Sequence, residues 1–597
     1  MSEDRTSTSD QPSLDMEAAA KQLVDVTEKG QQVAATCLQR QIKENAENGF
    51  SLVDPMTVSD LFANWTVKVL NDPTRLQEAQ LALYAAQARL WQTVVKRAQG
   101  DDVAPVIEPE PGDRRFKDKT WQDDPFYDYL KQSYLLSAKW LRDLAGSTAD
   151  TMDPKVQARI DFYMRQFISA ASPSNLAAAN PLVMKKAEET GGQSLLDGLH
   201  HWLDDLERGD GRLKISMTDE AAFEVGKNVA TTPGKVVYQN DLMQLIQYEP
   251  TTEKVYKRPL LIVPPWINKF YILDLQPKNS FIKHAIDQGH TVFVVSWANP
   301  DKSLAAKGFG DYMTDGPLAA LDAIEQATGE RTANILGFCI GGILVSATLA
   351  HLTAKGDADR VGAATFLTTM FDFEDVGEAS VFIDEAKVAE LERHVAKKGY
   401  LEGRHMADMF SMMRENDLIW SFFVNNYLMG REPMAFDLLY WNADNTRLPA
   451  AMIVFYLREM YLKNRLKEPG GITLAGTPID LTRVKTPIYF MAAKEDHIAP
   501  WRSCYPGTQL FAGPKRFVLA ASGHVAGVVN PPSAKKYGHW TFDKLPAEAK
   551  SWLGKADWHE GSWWPDWYRW LGRRAGKKVP SRTIGDGKLK PIEDAPG

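Results

Sequence analysis

Six residues, Gly337-Phe338-Cys339-Ile340-Gly341-Gly342, restrict the possible folds more than any other part of this chain. The short apolar run Ala333-Asn334-Ile335-Leu336 leads into them, and the apolar run Ile343–Ala350 leads away. The first reads as a buried strand and the second as a buried helix. Joining a strand directly to a helix needs a very sharp turn. A Cβ two residues to either side of its apex would collide with the chain, which accounts for Gly337 and Gly341. The apex is Cys339. Its side chain is presented at the end of a sheet, and the helix starting behind it favours negative charge at its N-terminus.

The rest of the chain divides by texture. Residues 1–13 are rich in Ser, Thr and Asp and read as a disordered tail. Residues 14–211 read as a mostly helical N-terminal domain. Its helical patterns run from Met16 to about Lys43, over Ser59–Gln99 with Pro73 dividing it, from near Asp124 through Arg142, over Lys155–Ala171 and over His200–Leu206. Gly209-Asp210-Gly211 marks the boundary. From residue 212 to 597 short apolar runs alternate with helical ones. The strand candidates are Val236–Tyr238, Leu242–Tyr248, Leu260–Val263, Val292–Val295, Ile335–Leu336, Ala364–Leu367, Ile488–Met491 and Phe517–Leu519. Such alternation predicts a parallel, doubly wound sheet. A mainly helical insertion at about 371–480 is large enough to be a cap. With the turn at Cys339, the expected class is an α/β-hydrolase fold with a helical cap insertion, preceded by a helical N-terminal domain. The tryptophan-rich stretch after Trp552 reads as a helix and loop packed on that domain, and Ala575–Gly597 as an exposed tail.

A thiol at such a turn needs a base and a group to orient it. In this fold class the chain order is nucleophile, acid, histidine, with the last two following late strands. Asp496 follows the Tyr489–Ala493 run, and His524 follows Phe517–Ala521. Either alone would be an ordinary turn residue. Together, in this order, Cys339, Asp496 and His524 form a candidate triad. Glu495 is the competing acid. His497, beside Asp496, is a candidate substrate contact. A developing oxyanion needs two donors. One is the amide of Ile340, the residue after the nucleophile. The other must come from the loop after Leu260–Val263. Pro264 and Pro265 have no N–H, so Trp266, Ile267 or Asn268 donates, with Ile267 favoured. The other histidines, including His200-His201, show no metal-ligand spacing.

Net charge is −8, which gives no sign of a nucleic-acid partner. Three cysteines, Cys37, Cys339 and Cys504, are too few for a disulfide scaffold and fit a reducing compartment. Cys37 and Cys504 read as packed thiols. The N-terminus lacks the apolar core of a secretory signal. The longest apolar stretch, Ile335–Ala350, is too short for a membrane span and is broken by three glycines. A cysteine nucleophile suits thioester exchange. Attack on an acyl-CoA gives an acyl-cysteine of nearly equal free energy, and passing the acyl group to a hydroxyl is then downhill.

Several longer stretches carry a resemblance. They are Gly337–Gly342, Asp113–Asp118, Pro264–Leu275, Tyr440-Trp441-Asn442, Glu495-Asp496-His497 and Ser522–Pro532. In this order they resemble the polyhydroxyalkanoate synthases, specifically the class I type that works without a partner subunit. The resemblance implies polymerisation of (R)-3-hydroxyacyl-CoA to polyester with release of CoA. Cys339 would carry the chain, His524 would act as base and Asp496 would support it. Trp441 matches a family tryptophan in the cap and is a candidate substrate contact. Phe338 and Ile340 resemble the short-chain pattern, so 3-hydroxybutyryl-CoA is the expected substrate. No cofactor is implied, since CoA enters with the substrate. Members are cytoplasmic, sit on the polyester granule surface and are dimers when active. Their N-terminal region is linked to granule-associated proteins. A cysteine hydrolase acting on polyester or lactones shares the same triad, and a noncatalytic granule coat is the rival from another class.

Overall fold

The computed structural model describes residues 25, 27–37, 40 and 50–597. They form two compact units: the described residues up to Asp219 with Arg414–Met434, and Glu220–Met413 with Ala435–Gly597. The expected tail at 1–13 lies outside the described residues. So does most of the helical pattern read over 16–43, of which 27–37 are helix.

The first unit is helical. Its longer helices are α1 (Pro55–Leu70), α2 (Pro73–Ala98), α3 (Pro125–Gly146), α4 (Pro154–Ala170) and α5 (Gln193–Arg208). The first four begin with Asp-Pro. Each aspartate caps free backbone N–H groups, and each proline fills the first turn where no N–H is needed. That dipeptide marks four helix starts that periodicity left blurred. Cys37 packs against Val33, Leu203 and Leu206, and its thiol donates to the Gly211 carbonyl at 3.4 Å.

This unit corrects two expected boundaries. It continues to Asp219, past the glycines at 209–211, and it takes residues 414–434 out of the expected cap. Asp205 shows why. Its carboxylate is buried and accepts from the Ser216 amide at 2.8 Å, from Arg208 at 2.9 Å and from the Tyr427 hydroxyl at 2.5 Å. A buried carboxylate is stable only when its acceptor sites are filled, and here the donors come from three separate segments.

The second unit is built on an 11-stranded sheet. In chain order its strands are β1 (Gly234–Gln239), β2 (Met243–Tyr248), β3 (Leu260–Val263), β4 (Val292–Trp297), β5 (Ala333–Phe338), β6 (Val361–Leu367), β7 (Ile488–Ala493), β8 (Lys515–Ala520), β9 (Gly538–Thr541), β10 (Asp557–Glu560) and β11 (Glu593–Asp594). Across the sheet the order is β10-β9-β8-β7-β6-β5-β3-β4-β2-β1-β11. The six strands β3 to β8 run parallel, and β3, β5 and β7 are buried along their whole length. Both flanks are antiparallel, which departs from an all-parallel expectation. The strand after β5 is reached through α6 (Ile340–Lys355), a helix buried on nearly every side.

The chain end is no free tail. Lys578–Pro580 pairs with Lys254–Tyr256, and β11 pairs with β1. The Arg582 guanidinium donates to the Lys257 carbonyl at 2.7 Å. Only long-range pairing makes strands of these short polar pieces. The tryptophans before it are packed: beyond α7 (Asp437–Ala443) in the chain, α8 (Trp564–Gly572) buries Trp564 and Trp567. The buried indoles of Trp563 and Trp564 donate to the carbonyls of Gly527 and Val528, at 2.8 and 2.9 Å. These bonds fasten the loop that carries His524.

Candidate active site

Parallel neighbours end at the same edge of a sheet, so the loops after β5, β6, β7 and β8 lie side by side. Register pairs Phe338 with Leu367 and Ala493 with Ala520. The turn after β5 is the tightest. Cys339 sits at φ 53°, ψ −124°, a strained backbone for a residue with a Cβ. Its amide donates to the Leu367 carbonyl at 2.9 Å, and its own carbonyl accepts from Gly342 N at 2.9 Å to open α6. A Cβ on Gly341 would sit 2.3 Å from the Val263 carbonyl oxygen. One on Gly342 would sit 2.0 Å from Thr369 Oγ1. Gly342 is therefore as constrained as the flanking pair read from the sequence. Thr369 braces the turn by donating to the Leu367 carbonyl at 3.0 Å and the Cys339 carbonyl at 3.3 Å. No local signal in the sequence marks that threonine.

The loops after β7 and β8 supply the other two groups. Asp496 is buried, and its Oδ1 accepts from the amides of Ile498 and Ala499, both at 2.8 Å. Its Oδ2 lies 2.7 Å from His524 Nδ1. With Nδ1 turned to the carboxylate, Nε2 is the nitrogen left for a thiol partner. The ring of Phe338 stacks on that of His524 at 5.5 Å. Burial alone would drive the imidazole neutral. Asp496 and Cys339 outweigh it through charge and hydrogen bonding, and the His524 pKa is raised to about 10. Ser522, two residues before His524, also has a strained φ of 87°. Glu495, the other acid considered, is exposed, while Asp496 makes the histidine contact.

Ile340 is the first residue of α6, where an amide has no acceptor within the helix. The close approach of Gly341 to Val263 and Pro264 sets that helix start beside the loop carrying Trp266, Ile267 and Asn268. This loop is tied down by Thr446, whose hydroxyl donates to the Trp266 carbonyl at 2.5 Å and whose amide donates to the Ile267 carbonyl at 3.3 Å. Trp441 on α7 is buried, and its indole donates to the Lys269 carbonyl at 2.7 Å. It packs in the core cluster that Cys339 adjoins. His497 is half-buried beside Asp496. Cys504 is buried, with its thiol 3.6 Å from the Ala499 carbonyl. Burial first, then Asp496 and Cys339, push its pKa well up and keep it a neutral thiol. Among the described residues no group of His, Cys, Asp and Glu has the makings of a metal site, and no helix is long and apolar enough to cross a membrane.

Comparison with known proteins adds a second line of observation. Residues 112–285 match the family described as the N-terminus of poly-beta-hydroxybutyrate polymerase (PhaC), and residues 258–531 match the alpha/beta hydrolase fold. The chain is similar to a poly(3-hydroxyalkanoate) polymerase subunit PhaC of Rhizobium meliloti, at 44% identity over 98% of this chain and 94% of the relative. It is similar to a poly(3-hydroxyalkanoate) polymerase of Methylorubrum extorquens, at 47% identity over 92% of this chain and 90% of the relative. A third relative, the PhaC subunit of Cupriavidus necator, is 44% identical over 88% of each chain. The second unit thus has the α/β-hydrolase fold expected for it.

Proposed function

The chain belongs to the poly(3-hydroxyalkanoate) polymerase family, and from that premise we propose that it is an acyltransferase that builds polyester from (R)-3-hydroxyacyl-CoA and releases CoA. What supports the residue assignment is the His524 imidazole, bonded through Nδ1 to the Asp496 carboxylate and stacked on the ring of Phe338, the neighbour of Cys339.

In the first half-reaction His524, with its raised pKa, already holds on Nε2 the proton given up by the thiol. Cys339 Sγ attacks the thioester carbonyl, and the amides of Ile340 and Ile267 receive the oxyanion, each worth about 10²–10³ in rate. The carbon–sulfur bond to CoA breaks, and His524 returns the proton to the CoA thiolate. In the second, a 3-hydroxyl gives its proton to His524 as its oxygen attacks the acyl-cysteine. An ester forms, the bond to Cys339 breaks, and the proton stays on His524, as at the start. Asp496 holds the ring with Nδ1–H inward throughout. His497 and Trp441 are assigned to the acyl pocket, Trp441 by fixing the loop beyond Ile267. Phe338 and Ile340 favour a short acyl chain, with 3-hydroxybutyryl-CoA as the preferred substrate. The working form is assigned as a homodimer on the surface of a polyester granule in the cytoplasm, with granule-associated proteins bound through the helical unit.

The test is purified protein with (R)-3-hydroxybutyryl-CoA, following free CoA and insoluble ester together. Both should rise in step, and Cys339→Ala should abolish both. Release of soluble hydroxyacid from added polyester, with no CoA-dependent polymer, would assign the triad to a hydrolase instead.

A further inference from the structure

Thr368, the residue after β6, has a φ of 41°. Among the described non-glycine residues with positive φ it is the only β-branched one, and such side chains rarely take that conformation. Strained backbone recurs along this edge of the sheet. Cys339 directly follows β5 at φ 53°, and Ser522 stands two residues past β8 at φ 87°. The first is the candidate nucleophile and the second leads to the candidate base, and strain of this kind gathers at functional sites.

No bond of its own side chain offsets the strain at Thr368. The side chain is 0% exposed, and its hydroxyl has no hydrogen-bond partner among the described residues. An unmet buried hydroxyl lowers stability further. The two neighbours of Thr368 show what the bend achieves. On one side, the Leu367 carbonyl accepts from the Cys339 amide at 2.9 Å. On the other, the Thr369 hydroxyl donates to the Cys339 carbonyl at 3.3 Å and to the Leu367 carbonyl at 3.0 Å. In an extended strand the carbonyls lie in the sheet and the side chains stand out of it. A carbonyl and a side chain two residues on can therefore hold the same neighbouring residue only where the chain bends between them. Thr368 is that bend, and its amide is anchored to the Met491 carbonyl of β7 at 2.7 Å. Glycine would take the same φ without strain, but it would also take many others. A buried, branched side chain has little freedom and holds the bend in one conformation.

We propose that Thr368 is a positioning residue for acyl transfer at Cys339: its branched side chain locks the bend that sets the Leu367 carbonyl and the Thr369 hydroxyl on the two ends of the nucleophile's backbone. For its substrate this assignment rests on the polymerase reading above. The shape of Thr368 is what matters, and its hydroxyl is dispensable.

The test compares the full-length wild type with Thr368→Gly, Thr368→Val and Thr368→Ser. Three quantities are read: CoA release from (R)-3-hydroxybutyryl-CoA, thermal melting, and the rate at which iodoacetamide alkylates Cys339, followed by mass spectrometry of its peptide. Glycine removes the strain and the unmet hydroxyl together but frees the bend. It should melt close to the wild type, yet lose about tenfold or more in kcat with KM unchanged, and alkylation should slow as well. Valine keeps the branch without the hydroxyl and should restore most of the lost rate. Serine keeps the hydroxyl without the branch and should stay slow. An unchanged kcat in the glycine variant overturns the assignment. So does a glycine variant whose lost rate comes with a clearly lower melting point, which would make the bend a support of the fold alone. So does slow valine beside normal serine, which would mean that the hydroxyl itself serves the substrate. A wild type that releases no CoA refutes the polymerase reading, whereas alkylation slowed by glycine and restored by valine would still uphold the role of Thr368 at the nucleophile.

Discussion

Asp496→Asn isolates the part played by the carboxylate, because Asn has nearly the same shape. The wild-type side chain accepts three bonds, two from the amides of Ile498 and Ala499 on Oδ1 and one from His524 Nδ1 on Oδ2. Asn has one acceptor oxygen and one donor NH2 group. If the oxygen faced His524, the NH2 would point at two backbone donors, leaving buried N–H groups unpaired at about 1–3 kcal/mol each. The oxygen therefore stays with the amides and the NH2 turns to Nδ1. Nδ1 must then accept, so the neutral ring carries its proton on Nε2, facing the thiol, and cannot take another there. The loss of one charge-assisted bond costs about 1.5–3 kcal/mol of stability. The wrong tautomer should lower the CoA-release rate about 10⁴-fold, the scale seen when a triad carboxylate is made an amide. The second readout is titration. In the wild type the His524 pKa is raised from 6.5 to about 10, so its contribution to stability is fully present below about pH 6.5 and is lost as pH rises through about 10. The Asn variant should move the midpoint of a ring-proton NMR titration downwards. A variant within tenfold of wild-type rate, with an unmoved midpoint, would refute the tautomer argument.

Gly342→Ala places a Cβ 2.0 Å from Thr369 Oγ1, so it should cost about 1–3 kcal/mol in denaturant unfolding and slow acylation by displacing the threonine brace. Trp441→Phe loses the bond to the Lys269 carbonyl and some buried volume, and should lower stability by about 1–3 kcal/mol in the same assay. Burial raises the Asp274 pKa to about 6, against the partly offsetting hydroxyls of Ser280 and Thr232. Its neutral form thus contributes stability that is present below about pH 4 and lost as pH rises through about 6, by up to about 3 kcal/mol. Asp274→Asn should flatten that part of the stability–pH curve, and an unchanged slope between pH 4 and 7 would assign it to other groups.

The features legible in the chain are those set by short-range sterics or by chain order. Gly337 and Gly341 reveal a turn at Cys339, because a Cβ there collides whatever the rest of the protein does. The runs before Asp496 and His524 read as strands, and in a parallel sheet successive strand ends share one edge. The order of those runs therefore already placed the three side chains near one another. The remaining features depended on segments far apart in the chain. Residues 414–434 read like the helices on either side of them, and long-range bonds, Tyr427 to the buried Asp205 carboxylate, Ser169 to Glu415 and Asn426 to the Ser216 carbonyl, hold them in the helical unit. Residues 578–580 and 593–594 are strands only because strand edges elsewhere offer unpaired amides and carbonyls. Thr369 carries no local mark, since the carbonyls it braces are brought to it by the fold. Sequence alone determined where the sharp turn at Cys339 and the loops of Asp496 and His524 stand along the chain. Tertiary structure decided which distant groups brace them, because a buried polar atom is satisfied by whatever lies nearest in space.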